Sequence, residues 1–320
     1  MSVARQGVLL GVAAYVLWGL SALYWPLVEP TGAVEILALR VLWSPVAVGL
    51  LVLAIGRRRQ VAAILRRPRD LALLALAGVL TSANWGLFIW ATMSGHVVDA
   101  SLGYFITPLV SVALGVALLG ERLRAWQWAA IGLGAAAVAV LTVAYGGLPW
   151  IALGLATTFG AYGLIKKRVG VGAAEGLMVE TAVLFPFAVV YTVVIQASGQ
   201  ATFGHVSVAN TLLGIGSGFV MMLPMLLFSA ATTRIPLSVV GMLQFIEPVV
   251  QFLIGVLVFR EVMPAARWAA FGLLWVSLAM LTAEGFRRQS PASAADPAPR
   301  RSSRSSRTAS SAVRDQEGRP

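Results

Sequence analysis

The sequence predicts an all-α integral membrane protein with ten transmembrane helices arranged as two inverted five-helix repeats. Three observations carry that expectation: scarce charge, ten long apolar runs, and a match of the chain to itself at one fixed offset. Of 320 residues, 58% are hydrophobic and 12% charged, and the mean hydropathy is +0.83. A soluble domain carries about 25% charged residues, so this chain cannot cover a water-facing surface, and an ordinary soluble enzyme is excluded. The absence of cysteine removes disulfides, iron–sulfur clusters and thiolate metal sites. Two histidines, His96 and His205, are too few to argue a metal site, and neither a metal nor a cofactor is expected.

A spanning helix needs about 20 predominantly apolar residues, and ten segments meet that need. The first, 6–27, follows Arg5; it is too long for a leader's apolar region of about 7–15 residues and lacks a clear cleavage site, so it is expected to be retained. Segment 35–56 carries Arg40, 71–93 carries Asn84-Trp85, and 101–119 holds Tyr104 and a helix-kinking Pro108. Segment 125–143 contains Gly132-x-Gly134, where helices can approach closely. Segment 148–165 stops before Lys166-Lys167-Arg168, 176–197 encloses Glu180, and 209–231 carries Gly214-x-Gly216-x-Gly218. Segment 236–258 contains Gln244, Glu247 and a second kinking proline, Pro248, and 265–283 closes the bundle. The runs are long and continuous, unlike the ~10-residue alternating strands of a membrane barrel. Connections are short, leaving no room for a soluble domain.

Lys and Arg concentrate on the cytoplasmic side of a membrane protein. With the amino terminus inside, 21 of the 24 basic residues face the cytoplasm; Arg260 and Arg267 lie outside, and Arg40 lies within a span. Both termini are therefore expected to be cytoplasmic, in a bacterial-type inner membrane. Residues 287–320 hold eight Arg, eight Ser and four Pro without apolar periodicity, and are expected to form a disordered basic tail. Such a tail either contacts anionic lipid or merely reinforces orientation. The net charge of +11 thus reports topology, and no nucleic-acid partner is expected.

Shifted by 140 residues, the sequence matches itself without a gap. Phe105-Ile106-x-Pro108 meets Phe245-Ile246-x-Pro248, and Trp128-Ala129-Ala130-x-Gly132-Leu133 meets Trp268-Ala269-Ala270-x-Gly272-Leu273. Glu121 meets Glu261, and Gly32-Ala33-x-Glu35 meets Gly172-Ala173-x-Glu175. The expected organisation is a first repeat over 1–143, a second over 144–286, and the tail. Five spans per repeat is an odd number, so the halves run in opposite directions. Inverted repeats of this kind build secondary transporters that alternate access to a midplane site.

At these residues the sequence resembles the RarD-type members of the EamA branch of the drug/metabolite transporter superfamily, over about residues 1–286. The matching stretches include Glu35-Ile36-Leu37 with Arg40 and Trp43-Ser44, Asn84-Trp85-x-Leu87-Phe88-Ile89-Trp90-Ala91, Ser101-Leu102-Gly103-Tyr104-Phe105-Ile106-x-Pro108-Leu109, Gly120-Glu121-Arg122, and Gln244-Phe245-Ile246-x-Pro248. The resemblance implies ten helices in an inverted five-plus-five arrangement and export of small molecules. Pro26, Leu39, Thr107 and Glu247 depart from the pattern, which would place lysine, histidine, asparagine and a small residue there.

Ionisable residues inside a span cost about 2.5–3.5 kcal/mol at its centre on insertion scales and are functional candidates by default. Glu247 lies near mid-span, and Pro248 frees a backbone carbonyl one turn back, near Gln244; together they suit a cation or a proton. Arg40 and Glu180 are equivalent under the 140-residue shift but lie towards opposite faces, so separate polar roles are expected. The blander alternatives are snorkelling of Arg40 to headgroups and pairing of Glu180 with Lys166 or Lys167. Asn84, Trp85 and Tyr104 suit a cavity for an amphipathic or aromatic ligand, or else interhelical packing. Trp126, Trp128, Trp150 and Trp268 lie near span ends, as interfacial belt residues do. Glu121 and Glu261 are expected to make loop contacts with nearby Arg.

The substrate and proton-pathway candidates are therefore Arg40, Asn84, Trp85, Tyr104, Glu180, Gln244 and Glu247. The expected function is a secondary transporter exporting a small metabolite or drug-like compound with proton coupling. Its partners are that small molecule and the lipid bilayer, and nothing in the sequence calls for more than a monomer. The alternative is a membrane-embedded sensor or enzyme; no clustered acid/base or metal set supports it.

Overall fold

The computed structural model describes residues 2–119, 125–220, 222–232, 234–235, 239 and 243–289. Its helices are α1 (Val3–Leu20), α2 (Ala33–Ala54), α3 (Arg58–Leu65), α4 (Pro68–Met93), α5 (Val97–Leu119), α6 (Ala125–Tyr145), α7 (Trp150–Val169), α8 (Ala173–Ala197), α9 (Val208–Gly216), α10 (Met222–Thr232), α11 (Ile246–Leu253) and α12 (Ala265–Gln289). Helix makes up 83% of the structure, and no strand occurs among the described residues, which removes the barrel alternative.

Local chemistry sets several of these ends. Ser2 caps α1, its side chain accepting the Arg5 N–H at 3.3 Å. Pro68 opens α4, where a missing N–H costs nothing. Gly170 ends α7 with φ +66°, in the left-handed region that glycine occupies without strain.

Six helices are long and apolar enough to cross a membrane: α1 with its extension to Leu23, α2, α4, α5 to Leu118, α6 and α8. The other four expected spans are not among these six, and two of them are interrupted. Helix α7 runs continuously from Trp150 to Val169, so it takes in Lys166-Lys167-Arg168, which lower its hydropathy. The expected span 209–231 is interrupted between α9 and α10. Gly218 lies in that break, where a Cβ would sit 2.6 Å from the Trp43 carbonyl carbon, so the turn lets the chain press on α2. The span 236–258 appears as α11 followed by a π-helical turn over Ile254–Val258; 236–238 and 240–242 lie outside the described residues. Helix α12 runs to Gln289, past the expected end at 283 and into the expected tail; 290–320 lie outside the described residues.

Two further differences concern connections. The first span stops at Leu20 and continues as 3₁₀ turns over Ser21–Leu23 and Trp25–Val28, the second containing Pro26. The arginine-rich stretch after α2, expected as a plain connection, contains α3. There Ile64 packs with Leu74 and Val179, and Val61 lies beside them.

The helices pair in a repeating pattern. Helix α7 packs on α4 and α5, and α1 packs on α10 and α11. These pairings interchange under the 140-residue shift. Helices α2 and α8 pack on each other, as do α6 and α12, and each of these pairs maps onto itself. One core joins Phe105 and Leu109 of α5 to Phe252 of α11 and to Phe271 and Leu274 of α12. A second joins Trp25, Ile36, Phe88 and Leu155. Outward surfaces are apolar: Phe187 is 71% exposed and Trp128 and Trp150 57% each, a pattern suited to lipid and not to water.

Candidate functional site

Arg40 lies on α2, five residues after Glu35, and only 1% of it is exposed. Its guanidinium carbon stands 3.9 Å from the Trp85 ring centroid and 5.3 Å from that of Trp25. Such contacts draw a cation to the negative face of an indole. Arg40 Nε and Nη2 are buried and have no hydrogen-bond partner. Among the described residues no carboxylate forms an ion pair with Arg40.

Asn84 precedes Trp85 on α4 and bonds across helices. Asn84, 1% exposed on α4, donates through Nδ2 to the Leu155 carbonyl and to Thr158 Oγ1, each at 3.0 Å. Its Oδ1 accepts the Tyr104 hydroxyl at 3.1 Å. One amide therefore ties α4 to α5 and α7, in a bilayer setting where such bonds each contribute about 0.6 kcal/mol on average. The Tyr104 ring meets Phe88 and Phe159 edge-on, and its hydroxyl is within electrostatic reach of both Arg40 and Glu247. Tyr104 lies two turns inside α5, which begins at Val97.

Glu247 occupies the first turn of α11, with Gln251 Nε2 donating to its Oε1 at 3.4 Å. Gln251 is fully buried. Gly19 of α1 allows close approach here, since a Cβ would sit 3.0 Å from the Glu247 carbonyl oxygen. The Pro248 carbonyl accepts the Ser101 hydroxyl at 2.8 Å. Pro248 stands in the first turn of α11, where its missing N–H is tolerated, and Pro108 lies inside the continuous α5. Gln244 is exposed in the turn before α11, away from the Glu247–Gln251 contact.

Glu180 belongs to a different cluster. Lys166 Nζ is 2.7 Å from its Oε1, and the Tyr162 hydroxyl lies beside it. The structure thus brings Arg40, Trp85, Asn84 and Tyr104 together, with Glu247 beyond Tyr104, and places Glu180 with Lys166. Trp25, Thr158, Ser101 and Gln251 belong to these contacts and were not among the sequence candidates. Trp25 is separated from the helix it serves by a turn, and no periodicity links it to Arg40.

Three further carboxylates close loops. Glu35 accepts the backbone N–H groups of Thr202 and Phe203, each at 3.0 Å, and the Thr202 hydroxyl at 2.9 Å. Its equivalent, Glu175, pairs with Arg57 at 3.4 Å. Glu261 caps α5, accepting the N–H groups of Val97 at 2.5 Å and Val98 at 3.1 Å, with Arg267 at 3.9 Å. Burial pushes the Glu261 carboxyl above its ordinary range, against the opposing pull of those N–H groups and Arg267. Glu121 lies outside the described residues.

Among the described residues no group of three or more His, Cys, Asp or Glu could hold a metal ion. His96 pairs with Asp99 at 3.2 Å and stacks on Trp90, and His205 bonds Gln196 at 2.9 Å.

An all-helical chain with lipid-suited surfaces and a buried polar cluster belongs among multi-pass membrane proteins. The model of the EamA-like transporter family matches residues 5–143, which makes the class that of a membrane transporter. Protein RarD of Streptomyces exfoliatus is 51% identical over 283 residues, covering 88% of this chain and 90% of that protein. Protein RarD of Salmonella typhi is 42% identical over 285 residues, covering 89% and 97%. The chain belongs to the EamA-like transporter family as a RarD-type member of the drug/metabolite transporter superfamily. A crystal structure with 19% identity superposes with a TM-score of 0.58 over 89% of this chain and 99% of that one, a likeness of fold.

Proposed function

We propose that the protein is a secondary exporter of a small metabolite or drug-like compound, working by alternating access with proton coupling. The observation that carries this reading is the paired symmetry of sequence and packing. The 140-residue self-match coincides with helix pairings that interchange under the same shift, α7 with α4 and α5, α1 with α10 and α11. That coincidence supports ten spans in two inverted halves, 1–143 and 144–286, followed by a basic cytoplasmic tail from 287. Inverted halves rocking about a central site can expose it to each face in turn.

In this reading the site is formed by Arg40, Asn84, Trp85 and Tyr104, with Glu247 on the second half; Gln244 lies exposed beside it, and Glu180 pairs with Lys166 in a separate cluster. Glu247 is the proton carrier, a half-buried carboxyl within electrostatic reach of Tyr104 whose side-chain hydrogen bond comes from Gln251. The excess of Lys and Arg on one side supports cytoplasmic termini in a bacterial inner membrane.

Reconstitution in liposomes tests it. With an imposed proton gradient, counterflow of metabolites, amino acids or cationic dyes is expected, and Glu247→Gln uncouples flux from proton movement. No flux of any compound and no proton movement overturns the reading.

A further inference from the structure

We propose that Arg40 binds the carboxylate of the transported compound, so that the substrate class is small monocarboxylates carrying an apolar or aromatic body. This deepens the transporter reading and rests on it for the word "transported"; the binding site itself does not.

The argument starts from an imbalance. A buried cation is normally paired with a carboxylate, because desolvation otherwise outweighs what aromatic faces return. Arg40 is 1% exposed and has two indole faces within cation–π range, yet no carboxylate among the described residues pairs with it. Both unpartnered nitrogens, Nε and Nη2, lie on one edge of the guanidinium. That edge offers two parallel N–H donors in the spacing of a carboxylate's two oxygens, the bidentate geometry that favours arginine over lysine for planar anions.

The surroundings select further. Trp25 and Trp85 both lie within cation–π range of the guanidinium, and its Nε–Nη2 edge is left without a protein partner. Asn84 is unavailable to an anion, since Nδ2 is committed to Leu155 and Thr158 and Oδ1 to Tyr104. The neighbouring surface is the aromatic set Tyr104, Phe88 and Phe159. One charge with two donors, set beside ring edges, fits a single carboxylate on an apolar body. It disfavours a phosphate, whose second charge would find no second cation.

Calorimetric titration of the purified full chain in detergent provides the test, with sodium benzoate as probe, benzylammonium chloride as its cationic counterpart and benzyl alcohol as the neutral one. Saturable binding of benzoate is expected, with at least tenfold weaker binding of the other two. Arg40→Lys weakens benzoate tenfold or more and Arg40→Gln abolishes it, whereas Arg66→Gln, which removes an exposed charge, leaves it unchanged. The ranking of the three probes on the unaltered chain stands whether or not the variants fold. Equal binding of benzylammonium, undiminished benzoate binding by Arg40→Gln, or no saturable benzoate binding overturns the proposal. Counterflow in liposomes separates the two readings. Flux of other compounds without benzoate binding overturns the carboxylate site alone, and benzoate binding without flux of any compound overturns transport alone.

Discussion

Arg40 and Glu180 occupy the same place in the 140-residue self-match, and they are opposite in charge and in circumstance. Glu180 has a partner: Lys166 reaches it at 2.7 Å from α7, with Tyr162 alongside. Arg40 has two indole faces and a bare edge. A buried charge with a partner links helices; a buried charge without one is available to something that arrives. In the proposed reading, the half with Glu180 carries a structural ion pair and the half with Arg40 a recognition element.

The largest expected effect breaks the first of these. Lys166→Met leaves Glu180 buried and unpaired, and should cost about 3 kcal/mol of stability in a denaturant or thermal melt, because removing one member of a buried pair strands the other. The double change Lys166→Met with Glu180→Met should recover most of that loss. A loss of the same size in the double variant would mean that packing, and not the ion pair, holds α7 to α8. Next in size, Asn84→Ala removes three hydrogen bonds across helices and should cost about 1–2 kcal/mol in all, at about 0.6 kcal/mol per bond. A melt gives that cost, and a change in Trp fluorescence would report the loosening of Trp85.

Arg40→Met should behave in the opposite way to Lys166→Met. With no partner left stranded, stability in the same melt falls by no more than about 1 kcal/mol, since apolar replacement of a buried charge is commonly neutral or stabilising. Liposome flux should nevertheless be lost. A melt as damaging as that of Lys166→Met would erase the contrast between the two halves.

The smallest effect concerns pH at a position outside the spans. Burial raises the Glu261 carboxyl above its ordinary value of 4.5, so the folded protein holds that proton more tightly than the unfolded chain. Its contribution is therefore present at low pH and is lost as pH rises through the folded-state value. The melting temperature should fall across that window, and Glu261→Gln should flatten the slope. An unchanged slope would assign the pH dependence to other groups.

Much of this was legible in the sequence, for reasons that differ by residue. Charge in an apolar run is costly, so Arg40, Glu180 and Glu247 announced themselves by cost alone. The pairing of Glu180 with Lys166 was open to sequence reading as one of two alternatives. Trp25 was not, because its contact with Arg40 depends on the 3₁₀ turns that fold the chain back after Leu20. Hydropathy also concealed the break between α9 and α10, since Ser217–Val220 carries no charge and reads on as part of a span while its backbone turns beside α2. Helix α3 had a signal that charge obscured: Val61 and Ile64, one turn apart, face α4 and α8 amid arginines. For Glu247 the sequence offered Gln244 one turn before, and the structure uses Gln251 one turn after.

The loops held by Glu35 and Glu175 have a mechanical consequence. Each carboxylate starts a helix of the α2–α8 pair and grips the chain that follows the other helix, Thr202 and Phe203 in one case and Arg57 in the other. The pair is a beam pinned at both ends. Sliding of α2 along α8 would pull both pins, whereas tilting the beam as a whole pulls neither. Arg40 and Glu180, each five residues from a pin, would then travel together as opposite arms of one lever.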